Sequence, residues 1–195
     1  MKNKNKIKES IMVVDIGTSS IKTSLFDINA KNIPKMSVKT YHKIKTRIDG
    51  TSEANPENLR LLVEKSIDLI LEKSIDVVDD IIAVSFDSMA STLLGIDQEG
   101  KAITPVFTYA DTRSYEQVEK IKLELNESIL HDHTGVMQHT SYVPAQIMWL
   151  QETNPYLAKR IYKYLDFSTY LYSNWFKSKD YFASIGEEIE TAYAA

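Results

Sequence analysis

The densest run of residues able to do chemistry lies near the start of the chain: Asp15-Ile16-Gly17-Thr18-Ser19-Ser20-Ile21-Lys22. The apolar run Ile11–Val14 delivers one acid, one glycine and three hydroxyls into what should be a tight turn. Gly17 lets the backbone approach a ligand closely. Successive backbone N–H groups of such a turn can cradle phosphate oxygens. Thr18, Ser19 and Ser20 add hydroxyl donors, and Lys22 can bring a positive charge to the phosphates. Asp15 suits a magnesium ion held through water, because magnesium keeps much of its hydration. The plainer reading is an ordinary β-turn, rich in Gly and Ser because turns are.

Two further groups have the right residue types. Asp111 and Arg113, in Tyr109-Ala110-Asp111-Thr112-Arg113-Ser114, can bond sugar hydroxyls or each other; on spacing alone, an ion pair that braces the loop is favoured. Asp87, Ser88 and Ser91 follow the apolar run Ile81–Val84, so they face a ligand or merely end a strand. His131, His133 and His139 fit no zinc spacing. The aromatic residues between Tyr156 and Phe182 read as packing, because no basic patch accompanies them. A nucleophile elbow, a Walker-type lysine loop and a dinucleotide-type glycine cluster are all missing.

These residues need elements to hold them. Residues 11–27 read as a β-hairpin and Met36–Ile44 as a third strand. Asn55-Pro56 opens a helix whose stripe is Leu59, Leu62, Val63, Ile67, Ile70 and Leu71. Ile81–Val84 reads as a buried strand, Thr92–Ile96 as one that pairs with it or follows it, and Asp97–Gly100 as a turn. Ser114 and Gln117 form a capping box for a helix with Val118, Ile121 and Leu125 inward. Pro144–Glu152, with Ala145, Met148 and Trp149 on one side, a third helix capped by Asn154-Pro155, and Ser168–Phe176 complete a helical second half. The fold class is α/β with a mixed sheet, in one compact unit.

Composition narrows the function. The 195 residues carry 23 Lys+Arg against 27 Asp+Glu, which argues against a dedicated nucleic-acid binder. With no cysteine, thiolate metal sites and cysteine nucleophiles are excluded, and a reducing compartment fits. The apolar run after the basic start is too short for a signal peptide, and no stretch reaches the ~20 apolar residues of a membrane span. A cytoplasmic protein without membrane or nucleic-acid partners is expected, with a homodimer left open.

Taken in order, the segments resemble the N-terminal part of an FGGY-family carbohydrate kinase. Val13–Lys22 with Leu25-Phe26-Asp27 is similar to that family's first phosphate motif. Ile82–Phe86, with Leu93–Asp97 and Gly100, resembles its second strand pair. Pro105–Ser114 resembles its Trp-x-Asp-x-Arg segment, and Thr134-Gly135 through Glu152 and Pro155 the helical stretch that follows. Order and spacing agree over nearly all of residues 11–176.

The resemblance implies an actin-like ATPase fold, related to ribonuclease H, in a kinase of two domains. ATP and Mg²⁺ would be the cofactors and a sugar or sugar acid the substrate. Asp15 would hold the metal. Gly17, Thr18, Ser19, Ser20 and Lys22 would meet the phosphates, and Asp87, Ser88, Ser91, Asp111 and Arg113 would line or brace the sugar pocket. The base that takes the hydroxyl proton would lie beyond this stretch. Residues 1–10 are then a disordered basic tail and 11–195 an incomplete first domain. The second domain would be absent, through cloning, proteolysis or a broken gene, and the chain inactive alone. Ala90-Ser91 replaces the Met-His of xylulose and gluconate relatives and the Arg-Glu of glycerol ones. Ser141 and Gln146 also depart from the glycerol pattern, so Tyr109–Ser114 leans toward the gluconate-like branch. Another actin-like ATPase and a non-catalytic sugar-binding module are the alternatives.

Overall fold

The structure, a computed structural model, describes residues 6–176. In chain order the elements are β1 (Ile7–Ile16), β2 (Ser20–Asp27), β3 (Asn32–Tyr41), β4 (Lys45–Thr46), β5 (Ser52–Ala54), α1 (Pro56–Ser74), β6 (Val78–Ser88), β7 (Leu94–Ile96) and β8 (Val106–Phe107). After these come α2 (Tyr115–Leu125), α3 (Glu127–Thr134), α4 (Val143–Thr153), α5 (Pro155–Ala158), β9 (Lys163–Leu165) and α6 (Phe167–Phe176). They form two compact units, not the single one expected. The chain leaves the first unit after Lys43 and returns at Glu57, then leaves again after Ser88, with no Pro/Gly/Ser linker to mark the crossings.

The first unit is a four-stranded mixed sheet, ordered β3-β2-β1-β6, with α1. β1 pairs antiparallel with β2 and parallel with β6. Alternation sorts its residues: Met12, Val14 and Ile16 are buried, in register with Leu25, Thr23 and Ile21 of β2. α1 packs on this face, where the Ser66 and Thr23 hydroxyls bond at 2.7 Å. Leu59, Val63 and Ile70 are buried as expected, but Leu71 is 42% exposed and lies off the stripe.

Three expectations change here. The first strand starts at Ile7, since Ile7 and Glu9 pair with Val78 and Asp80; residues 7–10 are therefore strand rather than disordered tail. Residues 1–5 of that tail, and 177–195 of the expected domain, lie outside the described residues. The third strand spans Asn32–Tyr41, ending short of Ile44. Among the described residues β6 is the sheet edge, and Ile82 and Val84 are 56% and 49% exposed where a buried strand was expected. An apolar run cannot by itself distinguish a central strand from an edge.

In the second unit β4, β5 and β8 form one small sheet, and β7 pairs with β9. Thr92–Ile96 therefore does not pair with Ile81–Val84; Leu93 bridges Phe107 instead. The Asp97–Gly100 turn forms, with the Asp97 carboxylate accepting from the Glu99 and Lys101 amides. The capping box does not. Ser114 is buried and its hydroxyl donates to the Thr140 carbonyl at 2.7 Å, while the Gln117 amide donates to Glu152. A tertiary partner has displaced the local cap. Val118 and Ile121 pack on Ala145 with Met148, but Leu125 is 54% exposed. Trp149 parts from Ala145 and Met148 to join Leu93, Phe107 and Leu150. α3 was not anticipated. Asn154 caps α5 as expected, accepting from the Leu157 amide at 3.2 Å.

Candidate functional site

The β1–β2 turn is built by the ladder beneath it. Ile16 pairs with Ile21, and the Gly17 amide donates to the Ser20 carbonyl at 3.0 Å. Thr18 and Ser19 are exposed at the tip. A Cβ placed on Gly17 would make only ordinary contacts, 3.4 Å to the Ser20 carbonyl and 3.9 Å to the Asp15 carboxylate. Folding therefore does not require glycine here. Two bonds from beyond β3 hold the turn from the side. The His42 amide donates to the Ser19 carbonyl at 3.1 Å, and His42 Nε2 lies 2.8 Å from the Gly17 carbonyl.

Next to the turn, sheet register assembles a row of charges. Asp15 pairs with Lys22 on β2 and with Asp87 on β6, and Lys22 pairs with Lys39 on β3. Paired residues share a face, with Cβ atoms about 4.5–5.5 Å apart. The row Lys39–Lys22–Asp15–Asp87 is thus continuous across the sheet, and all four residues are exposed. The Asp15 and Asp87 carboxylates have no hydrogen bond or ion pair among the described residues. Two free carboxylates side by side offer the hard oxygen donors that magnesium or its bound water prefers. Sequence reasoning assigned Asp87 to the sugar; register places it beside Asp15. Ser88 pairs with Ile16, so it faces the other side of the sheet.

In the second unit, Asp111 and Arg113 are brought together and closed off. Arg113 donates through Nε to both Asp111 oxygens, at 3.0 and 3.1 Å, and through Nη2 to Asp111 at 2.7 Å and Glu53 at 3.2 Å. Its guanidinium lies 4.4 Å from the Trp149 ring centre and 5.2 Å from that of Phe107. Asp111 is 3% exposed and also accepts from the Ser52 amide. The β4–β5 hairpin supplies these partners. At its tip, the Thr51 hydroxyl and amide donate to Asp49 and hold that carboxyl below the usual aspartate range. Gly50, at φ +89°, accepts from the Thr112 amide at 3.0 Å. Through Nε and Nη2 the pair braces the loop, while the Nη1 hydrogens of Arg113 have no partner among the described residues. Tyr109, at the outer end of the loop, is 57% exposed and stacks on His139 at 5.0 Å.

The comparisons with known proteins decide the family. Residues 10–184 match "FGGY family of carbohydrate kinases, N-terminal domain". The chain belongs to that family. It is 30% identical to the gluconokinase of Bacillus subtilis (strain 168), over 84% of this chain and 31% of the relative. It is also 30% identical to the xylulose kinase of Staphylococcus xylosus, over 80% of this chain and 31% of the relative. The chain thus spans about a third of the length of these relatives. Solved structures share the fold. A ligand-bound xylulose kinase from Lactobacillus acidophilus superposes with a TM-score of 0.77 at 22% identity, covering 85% of this chain and 33% of that one. Plasmodium falciparum glycerol kinase with ADP gives 0.82 at 19%, covering 96% and 38%. The mixed α/β fold expected of an FGGY N-terminal domain is the one observed.

Other residues of this FGGY chain fall outside these clusters. Ser91 lies in the second unit at φ +51°. His131 and His133 are exposed on α3, and among the described residues no group of three or more His, Asp or Glu is placed to hold a metal ion. Gln146, 3% exposed, keeps both amide atoms buried without a hydrogen bond. Sequence reasoning missed His42, Lys39, Glu53, Ser52 and the stack on Trp149. Only the hairpin had a signal, the Asp49-Gly50 dipeptide, which marks tight turns.

Proposed function

We propose that this chain supplies the phosphate-binding turn and part of the sugar pocket of a kinase that transfers the γ-phosphoryl group of ATP to a sugar or sugar acid. The observation that carries this reading is the exposed Gly17–Ser20 turn beside unpaired Asp15 and Lys22, in a chain of the FGGY family. Gly17, Thr18, Ser19, Ser20 and Lys22 meet the phosphates, and Asp15, with Asp87 beside it, would hold Mg²⁺. The ion neutralises charge during transfer. Ser91 faces the sugar, while Asp111 and Arg113 hold the Tyr109 loop in place. Gluconate is the first substrate to try: the two 30%-identical relatives are a gluconokinase and a xylulose kinase, and the Tyr109–Ser114 segment leans to the former.

On its own the chain is expected to bind its ligands without consuming ATP, because it spans only about a third of those relatives. Calorimetric titration of the purified chain with gluconate, xylulose and glycerol, and with Mg-ADP, tests the reading. One sugar and the nucleotide should bind, with glycerol inert. No response to any sugar or nucleotide overturns the reading, and sugar-dependent ATP consumption by the chain overturns the inactivity.

A further inference from the structure

We infer that His42 is a positioning residue for the phosphate turn, acting through the Gly17–Thr18 peptide; this rests on the phosphate reading above. His42 lies just beyond β3, 25 residues from Gly17, and touches the turn twice. Its amide donates to the Ser19 carbonyl at 3.1 Å and its Nε2 reaches the Gly17 carbonyl at 2.8 Å.

The second contact fixes the chemistry of the ring. A carbonyl oxygen only accepts, so the Nε2 of His42 carries the hydrogen. It also fixes the direction of a peptide group. In a planar trans peptide the N–H points opposite to the C=O. With the Gly17 carbonyl drawn to the imidazole, the Thr18 N–H points away from it, at the exposed tip where an anion can arrive. Gly17 is the residue least able to hold this plane itself, because it has no Cβ to restrict its dihedrals. The side chain of His42 therefore supplies a constraint that the turn's own sequence lacks.

Two substitutions separate positioning from general support. His42→Gln places an amide N–H close to where Nε2 sits, whereas His42→Leu fills space without a donor. The probe is inorganic pyrophosphate with Mg²⁺, titrated into the 195-residue chain while the backbone amides of Thr18 and Ser19 are followed by NMR. For the unsubstituted chain, the Thr18 amide should shift on titration, and a long-range ¹⁵N spectrum should place the imidazole proton on Nε2. His42→Leu should weaken pyrophosphate binding roughly three- to tenfold, the range one net hydrogen bond supports. His42→Gln should stay within about twofold of the parent. Amide signals of β1 and β2 away from the turn should not move in either variant. An Nε2 that carries no proton overturns the inference, and so does parental affinity in His42→Leu or equal loss in both variants. The ring-proton measurement needs no variant, so it stands even if His42→Leu does not fold. If the unsubstituted chain gives no Thr18 or Ser19 response to pyrophosphate, the phosphate reading itself fails and this inference with it.

Discussion

Replacing Arg113 by alanine removes every bond that closes the brace in the second unit. Asp111 would keep only the Ser52 amide and the amide of residue 113, at 2.9 and 3.2 Å. Its side chain is 5% exposed and that of Arg113 is 17% exposed, so the orphaned carboxylate could not simply turn to water. Breaking a buried pair from one side costs about 3–5 kcal/mol, and the small exposure of Arg113 argues for the lower end. The lost contact with the Trp149 and Phe107 rings adds about 1 kcal/mol. The sum is about 4 kcal/mol, a large share of the ~5–15 kcal/mol that holds a typical protein together. At ~2–4 °C per kcal/mol for a chain of this size, the melting temperature should fall by roughly 8–16 °C. Arg113→Lys keeps the charge but not the fork, and should lose about half as much. Adding Asp111→Asn to Arg113→Ala removes the stranded charge and should recover ~1–3 kcal/mol. Melting followed by circular dichroism, alongside sugar titration, reads the outcome. A loss under ~1 kcal/mol together with vanished sugar binding would refute the brace and return Arg113 to the ligand.

Gly17→Ala should leave the melting temperature within a few degrees of the parent and weaken Mg-ADP binding, because its Cβ meets open contacts; a large stability loss would refute this. Gly50→Ala should do the reverse, since φ is +89° and the new Cβ would press on the Thr112 hydroxyl, so thermal melts should show a drop equivalent to ~1 kcal/mol or more. Gln146→Met should raise stability by ~1 kcal/mol in urea titration, because two buried amide atoms stop wanting partners. The Lys120 ammonium, and after it the Gln117 amide, hold the Glu152 carboxyl below its usual value of 4.5. A lowered carboxylate contributes stability above that value and loses it as pH falls through its folded pKa. Parent and Glu152→Gln should accordingly differ in melting temperature at pH 7, and the difference should shrink as pH falls below 4.5 through the lowered pKa.

The hairpin and its turn were legible because the apolar run Ile11–Val14 and the run Asp15–Ser20 are local signals. The charged row was half legible. Asp15 and Lys22 stood in one motif, but Asp87 joins them only through parallel pairing with a strand 72 positions away, which no spacing encodes. Asp111 and Arg113 were found as a pair, yet their role turned on Glu53 and Trp149, which lie on other elements. Ser114 carried a valid capping signature, and the Thr140 carbonyl outcompeted it. Leu125 matched a helical stripe that ran past the surface covering Ile121, whereas Leu71 lies off the stripe that the buried Ile70 and Ser74 continue.

The position of β1 in its sheet also sets a hierarchy of opening. From Ser10 to Ile16 it lies between β2 and β6, so its amides have a ladder partner on one side or the other. β6 has a strand on one side only among the described residues. Amides of alternate β6 residues therefore face outward and should give up their protons to heavy water early, in a two-residue rhythm along the strand. Those of β1 should hold theirs until the first unit unfolds as a whole. Asp15, at the end of β1 beside the turn, thus sits on one of the two interior strands, which open last.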